Sequence, residues 1–256
     1  MTAPATTSDA APGDRGVLVP SIAAAAAFAV LVSLGVWQLE RKTWKDGLIA
    51  ALEQRLEAAA VPLPAPAQWT RLTADGDEFR RVAVTAEFLH DREAAVYTLG
   101  SSMRDDSSGT PGYWIFTPAR LDGGAVVMVN RGFVPEANRD PATRAGGEVA
   151  GPVTLTGVLR WPERAGTFTP GADPARNIWF SRDSDAIAAA KGVTAAPFYV
   201  ELEGPDPPGG LPRTGRLHPV LPNNHFGYAL TWLGLAAVLT AVYAAWLVSM
   251  RRKRTA

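Results

Sequence analysis

Asn223-Asn224-His225-Phe226-Gly227-Tyr228 runs straight into an apolar stretch, Ala229 to Met250, and this junction decides the architecture. Tyr228 to Met250 is 23 residues without a charge. Roughly 20 apolar residues cross a bilayer core. Val17 to Leu39 is a second such run, again 23 residues and uncharged. Its apolar part is too long for a cleaved signal peptide, Arg15 is outweighed by Asp9 and Asp14, and no A-x-A site ends it. Two retained spans are therefore expected, with one large domain between them.

The flanks set the expected orientation. Arg251-Arg252-Lys253-Arg254 follows the second span as a basic cluster, and such clusters stay cytoplasmic. Both termini then face the cytoplasm. The expected divisions are a disordered tail over 1–16, spans over 17–39 and 228–250, an extracytoplasmic domain over 40–227, and a basic tail over 251–256. Arg41, Lys42 and Lys45 oppose this orientation, but the C-terminal cluster is longer.

Composition excludes several classes of function. The 25 basic and 25 acidic residues cancel, which leaves no overall basic field for nucleic acid. With no cysteine, disulfides, zinc-thiolate sites and Cys-ligated copper are ruled out. Arg makes up 21 of the 25 basic residues and Ala is abundant, as in a GC-rich genome. No G-x-S-x-G, H-E-x-x-H, phosphate loop or dinucleotide fingerprint is present, so the chain reads as non-enzymatic.

Leu48, Leu52 and Leu56 recur at helical spacing, which carries the first helix beyond the membrane to about Ala60, where Pro62 and Pro64 stop it. Trp37 and Trp44 suit interfacial anchors. Arg80–Leu89, Ala94–Leu99, Tyr113–Thr117, Val126–Val129, Val153–Leu159 and Phe198–Leu202 read as strands. Asp122-Gly123-Gly124 reads as a hairpin turn. Asp183–Lys191 reads as a short helix, capped by Ser181 or Asp183 and ended by Gly192. Gly204–Pro222, with six prolines and four glycines, suits a stiff strap. The expected fold is an α+β domain with an antiparallel β-sheet, flanked by two transmembrane helices.

Three histidines are candidates for chemistry. His90 reads as an exposed turn residue beside Asp91, and His218, before Pro219, as an idle or structural one. His225 stands at a helix N-terminus, whose partial positive charge keeps imidazole neutral and able to ligate iron. At 100° per residue, Tyr228 lies about 60° and Trp232 about 20° from it around the helix, as pocket walls would. An interfacial His bonded to a loop carbonyl explains the same position, and belt aromatics explain Tyr228 and Trp232. Asn223 or Asn224 can cap the span. Gly227 and Gly234, seven apart, offer a face for close helix approach. In Val129-Asn130-Arg131-Gly132-Phe133-Val134-Pro135, a strand is expected to end at Asn-Arg, with Gly132 in a turn or bulge. Arg131 suits a propionate, a partner carboxylate or a structural ion pair.

Three segments, in this order and within a two-span chain, together resemble the Surfeit locus protein 1 family of assembly factors for heme-copper cytochrome c oxidase. They are Gly35-Val36-Trp37-Gln38-Leu39-Glu40-Arg41-Lys42-Thr43-Trp44-Lys45, Asn130-Arg131-Gly132-Phe133-Val134-Pro135, and Asn223-Asn224-His225-Phe226-Gly227-Tyr228-Ala229-Leu230-Thr231-Trp232. The resemblance spans about residues 17–250. Phe133 stands where the family often has Trp. The resemblance implies a protein of the bacterial plasma membrane that binds heme a through His225, with the iron on that residue and Tyr228 and Trp232 beside it. It also implies partnership with the large oxidase subunit and the heme a synthesis machinery. A chaperone or clamp that binds no heme is the alternative.

Overall fold

The computed structural model describes residues 15–99, 109–215 and 222–255. His218 and most of the expected N-terminal tail lie outside the described residues. The chain divides into a helical unit, Met1–Ala50 with Pro222–Ala256, and a β-rich unit, Ala51–Leu221.

The helical unit is built on α1 (Arg15–Glu57) and the last helix of the chain, His225–Thr255. Both are long and apolar enough to cross a membrane. At 43 residues α1 is about 64 Å long, twice a bilayer core, so the expected extension past the span is present. Leu18, Ile22, Phe28, Leu230, Leu235 and Val242 lie on the outside of these helices. Apolar surface of that extent is stable against lipid rather than water.

Eight strands form the other unit: β1 (Val61–Pro62), β2 (Arg81–Phe88), β3 (Ala94–Thr98), β4 (Gly112–Leu121), β5 (Val126–Pro135), β6 (Pro152–Arg160), β7 (Ile178–Trp179) and β8 (Ala195–Glu203). Besides α1, its α-helical segments are α2 (Ala74–Asp77) and α3 (Ser184–Ala190), and the chain's last helix is α4. The order β2-β6-β8-β5-β4 closes because β4 pairs back onto β2, Phe88 opposite Ala119. The result is a five-stranded barrel, with β3 and β7 continuing the sheet from β4 and β1 added beside β2.

This corrects the expected antiparallel sheet. β5–β8, β1–β2 and β3–β7 are parallel, so the sheet is mixed. Strand-like runs show a period of two but not which distant run lies alongside, and β5 meets β8 only after a crossover of some sixty residues.

Alternation along the strands separates two cores. Val127, Val129, Phe198 and Val200 face one cluster with Val82, Leu155 and Leu159; Trp69 meets Phe198 edge-on at 5.5 Å. Met128, Phe133 and Tyr199 face the other way, with Phe116, Trp114 and Ile187 of α3. Each such large buried side chain contributes about 1.5–3 kcal/mol. The expected turn at Asp122-Gly123-Gly124 is present, closed by Gly124 N–H to the Leu121 carbonyl at 3.0 Å. Asp183 caps α3 through its carboxylate on the Ala186 N–H, and Gly192 ends it at φ +68°.

The Asn130–Pro135 motif does not end a strand; β5 continues through Pro135. The irregularity is a bulge, since Phe116 faces Asn130 while Trp114 faces Phe133. Gly132 sits there at φ +125°, where an added Cβ would lie 2.0 Å from the Arg213 carbonyl oxygen. The strap packs against the bulge at this point, exchanging two backbone hydrogen bonds between Arg213 and Phe133.

Candidate functional site

Small residues let α1 and α4 approach each other. Gly35 is buried, and a Cβ there would meet the Leu233 side chain at 2.8 Å. Ala229 and Ala236, one heptad apart, are buried on α4. The expected Gly227 and Gly234 face has open space around both glycines and is not the contact. Close approach by Gly and Ala is the usual device in membranes, where lipid offers helices no hydrophobic drive to associate.

Polar side chains cross-link this pair at both ends. Ser21 and Tyr243 share a hydrogen bond. At the other end, Asn223 Nδ2 donates to Asp46 Oδ1 at 2.7 Å, and Lys45 Nζ donates to the Pro222 carbonyl. A hydrogen bond from Lys42 holds the Asp46 carboxyl below its ordinary pKa, with Asn223 adding to the effect. Asn223 therefore ties the helices instead of capping. Asn224 takes the cap position through its backbone carbonyl, which accepts from Tyr228 N–H.

Between these ties lies His225, at the first position of α4 and half-buried. Its Nδ1 is 2.7 Å from Oε1 of Gln38, which is only 9% exposed. Nε2 has no protein partner among the described residues. Tyr228 is 57% exposed and Trp232 half-buried, and no ring pairing joins either to His225 among the described residues. The His225 site is therefore open rather than enclosed, bordered by the exposed Phe226 and Tyr228. One free imidazole nitrogen beside exposed apolar surface fits a flat hydrophobic group bound through a metal centre.

Sequence reasoning did not single out Gln38, 187 positions from its partner. Its signal was present: Gln38 is the one carboxamide of Val17–Leu39, a polar group near the end of an otherwise apolar span.

Arg131 belongs to the β-rich unit and is 3% exposed. Nη2 donates to the Gly147 carbonyl, Nη1 lies 3.3 Å from His90 Nδ1, and the guanidinium sits 5.0 Å over the Phe88 ring. No carboxylate is within ion-pair distance among the described residues. Burial lowers its pKa to about 10, partly offset by Glu93, which still leaves it charged at neutral pH. His90 is correspondingly not the exposed turn residue expected. It is half-buried, its Nε2–H donates to the Val149 carbonyl at 3.0 Å, and its Nδ1 accepts from Arg131. Both partners are more than forty positions away, out of reach of a local reading.

Asn130 has a separate role. Its Oδ1 accepts from the Gly132 N–H, and its Nδ2 points toward Glu201, which is 1% exposed. Glu201 pairs with Arg160, whose guanidinium also reaches Glu78 and Glu163. Elsewhere on this unit a cavity of about 900 Å³ is lined by Asp91, Glu93, Glu136, Asp140 and Glu148 against Arg139 and Lys191.

A sequence model of the SURF1 family matches residues 25–237, which include Gln38, the β-rich unit and His225. The chain belongs to the SURF1 family. Among its SURF1-family relatives is the SURF1-like protein of Monosiga brevicollis, 37% identical over 231 residues, covering 88% of this chain and 84% of the relative. Surfeit locus protein 1 of Rattus norvegicus is 35% identical over 227 residues, 84% of this chain and 71% of its own. The Homo sapiens protein is 36% identical over 223 residues, 82% and 71%. The resemblance read from the three motifs is thus borne out across the chain, and this SURF1-family member carries all three in the order expected.

Proposed function

We propose that this SURF1-family protein is a membrane-anchored, non-enzymatic assembly factor for heme-copper cytochrome c oxidase, and that it holds heme a through His225 on the way to the large oxidase subunit. One observation carries the heme reading: His225 uses Nδ1 within the protein and keeps Nε2 unengaged at an open apolar face. Heme a would supply the iron that accepts the imidazole lone pair. The chain's contribution is an imidazole oriented by Gln38, with Tyr228 and Trp232 offering apolar surface along the same helix. Arg131 we assign to the barrel wall, because its η-nitrogens are turned to Gly147 and His90.

The basic Arg251-Arg252-Lys253 end of α4 supports a cytoplasmic C-terminus, with the barrel on the opposite side of a bacterial plasma membrane. Partners on this reading are the large oxidase subunit and the heme a synthesis machinery.

A second reading, a clamp for an oxidase subunit without heme, has its own support. The Gln38–His225 bond ties two helices together whether or not a ligand is present. Absorption spectra of detergent-purified protein co-expressed with a heme a synthesis pathway separate the two. Wild type is expected to carry heme a and His225→Ala to lose it. A colourless wild type favours the clamp, and equal heme in both proteins removes His225 as the ligand.

A further inference from the structure

Gln38 lies on α1, in the first of the three motifs, and His225 opens α4, in the third. Three residues before Gln38, Gly35 packs against Leu233, and an added Cβ at Gly35 would lie 3.7 Å from the Ala229 carbonyl. Ala229 is one turn beyond His225 and almost fully buried. This contact brings the two backbones together one turn below the polar pair. Above it, Asp46–Asn223 and Lys45–Pro222 hold the same two helices. The two helices are thus held together on either side of the Gln38–His225 pair, which brings the Gln38 amide to one edge of the imidazole.

The chemistry of that edge is selective. A neutral imidazole carries one proton, on either Nδ1 or Nε2, and the other nitrogen keeps the lone pair. A Gln38 oxygen at 2.7 Å that accepts from the ring would place the proton on Nδ1 and leave the lone pair on Nε2. A carbonyl accepting this proton also raises the basicity of the far nitrogen and fixes the ring plane, as partners behind metal-bound histidines do.

We propose that Gln38 is the positioning residue of the His225 site: it holds the imidazole as the Nδ1–H tautomer and so reserves Nε2 as the lone pair offered to an iron-centred ligand. This rests on the reading that His225 binds heme, but the tautomer is a property of the ligand-free protein and can be measured without heme. A plain tie between helices does not need a particular tautomer, because a Gln amide turned over would donate to a bare Nδ1 equally well.

The test is ¹⁵N NMR of the full-length, ligand-free protein labelled at histidine, above pH 7.5, with the His225 signal assigned by its loss in His225→Ala. Wild type is expected to show a protonated Nδ1 and an unprotonated Nε2. Gln38→Glu, which can only accept, should keep that pattern. Gln38→Met, matched in length but apolar, should move toward the Nε2–H form that an unconstrained imidazole prefers. Titration with heme a should then show Gln38→Met weaker by about 10–100-fold and Gln38→Glu close to wild type. An Nε2–H wild type overturns the proposal, and so does a Gln38→Met spectrum unchanged from wild type. Should Gln38→Met fail to fold, wild type and Gln38→Glu still decide the tautomer. If the tautomers behave as expected but wild type takes up no heme a, the heme reading and the offer of Nε2 to iron fall, and only the control of the His225 tautomer by Gln38 stands.

Discussion

The two histidine environments at the centre of this protein make opposite use of a ring. In the β-rich unit His90 spends both nitrogens on its own chain, one on Val149 and one on Arg131, and the Arg131 η-nitrogens are committed to Gly147 and His90. In the helical unit His225 spends one nitrogen on Gln38 and keeps the other. The difference follows from the surroundings. A closed barrel pairs most of the polar groups it buries, since an unpaired one costs about 1–3 kcal/mol; the hydroxyls of Thr117 and Tyr199 are exceptions. A two-helix pair has a single buried seam, so a residue at its edge can serve the seam with one atom and a ligand with another. Burial marks the groups that belong to the fold; a spare lone pair at an open face marks the one available for chemistry.

The comparison can be broken most severely at Arg160. Replacing it with Ala removes the 3.3 Å ion pair of buried Glu201 and leaves it Arg182 at 3.8 Å, and a loss of about 2–4 kcal/mol is expected in chemical denaturation followed by near-UV circular dichroism. Gly132→Ala comes next. The positive φ and a carbonyl oxygen 2.0 Å from the new Cβ should cost about 2–4 kcal/mol by the same measurement, because the Arg213 strap must lift off β5. Arg131→Met is expected to cost about 1–3 kcal/mol, from the unsatisfied Gly147 carbonyl and His90 Nδ1, while heme a content stays at the wild-type level. A loss of heme without a loss of stability would return Arg131 to a propionate contact.

The smallest effect concerns the Asp46 tie. Its carboxyl pKa is lowered in the folded protein, so its contribution is present above the ordinary value near 3.8 and disappears as pH falls through the depressed folded value. The side-chain amide signal of Asn223 should shift over that acid range in wild type and stay flat in Asp46→Asn.

Much of this was legible in the sequence, where the signals were local. The apolar runs, the extension through Leu48, Leu52 and Leu56, the six longer strand segments, the Gly-Gly turn and the capped α3 each depend on neighbours within a few residues. The bulge glycine was legible for the same reason, since a Gly between Asn-Arg and Phe-Val-Pro signals an irregular strand. What escaped the reading was pairing over distance. The strand β5 looked finished at Asn130-Arg131 because these polar residues and Gly132 interrupt the apolar run; the strand continues because β4 and the strap hold it there.

By itself, then, the sequence determined two membrane-length helices, a β-rich domain between them, the family, and a histidine at the head of the second span. Periodicity, turn chemistry and motif order are local or linear properties, and a chain displays them before it folds. Only the tertiary structure decided that β2 and β4 close a barrel, that β5 lies parallel to β8, that His90 is occupied, and that Gln38 meets His225. Each of those depends on which distant residues share the space of a few ångströms, and that is settled by packing the whole chain at once.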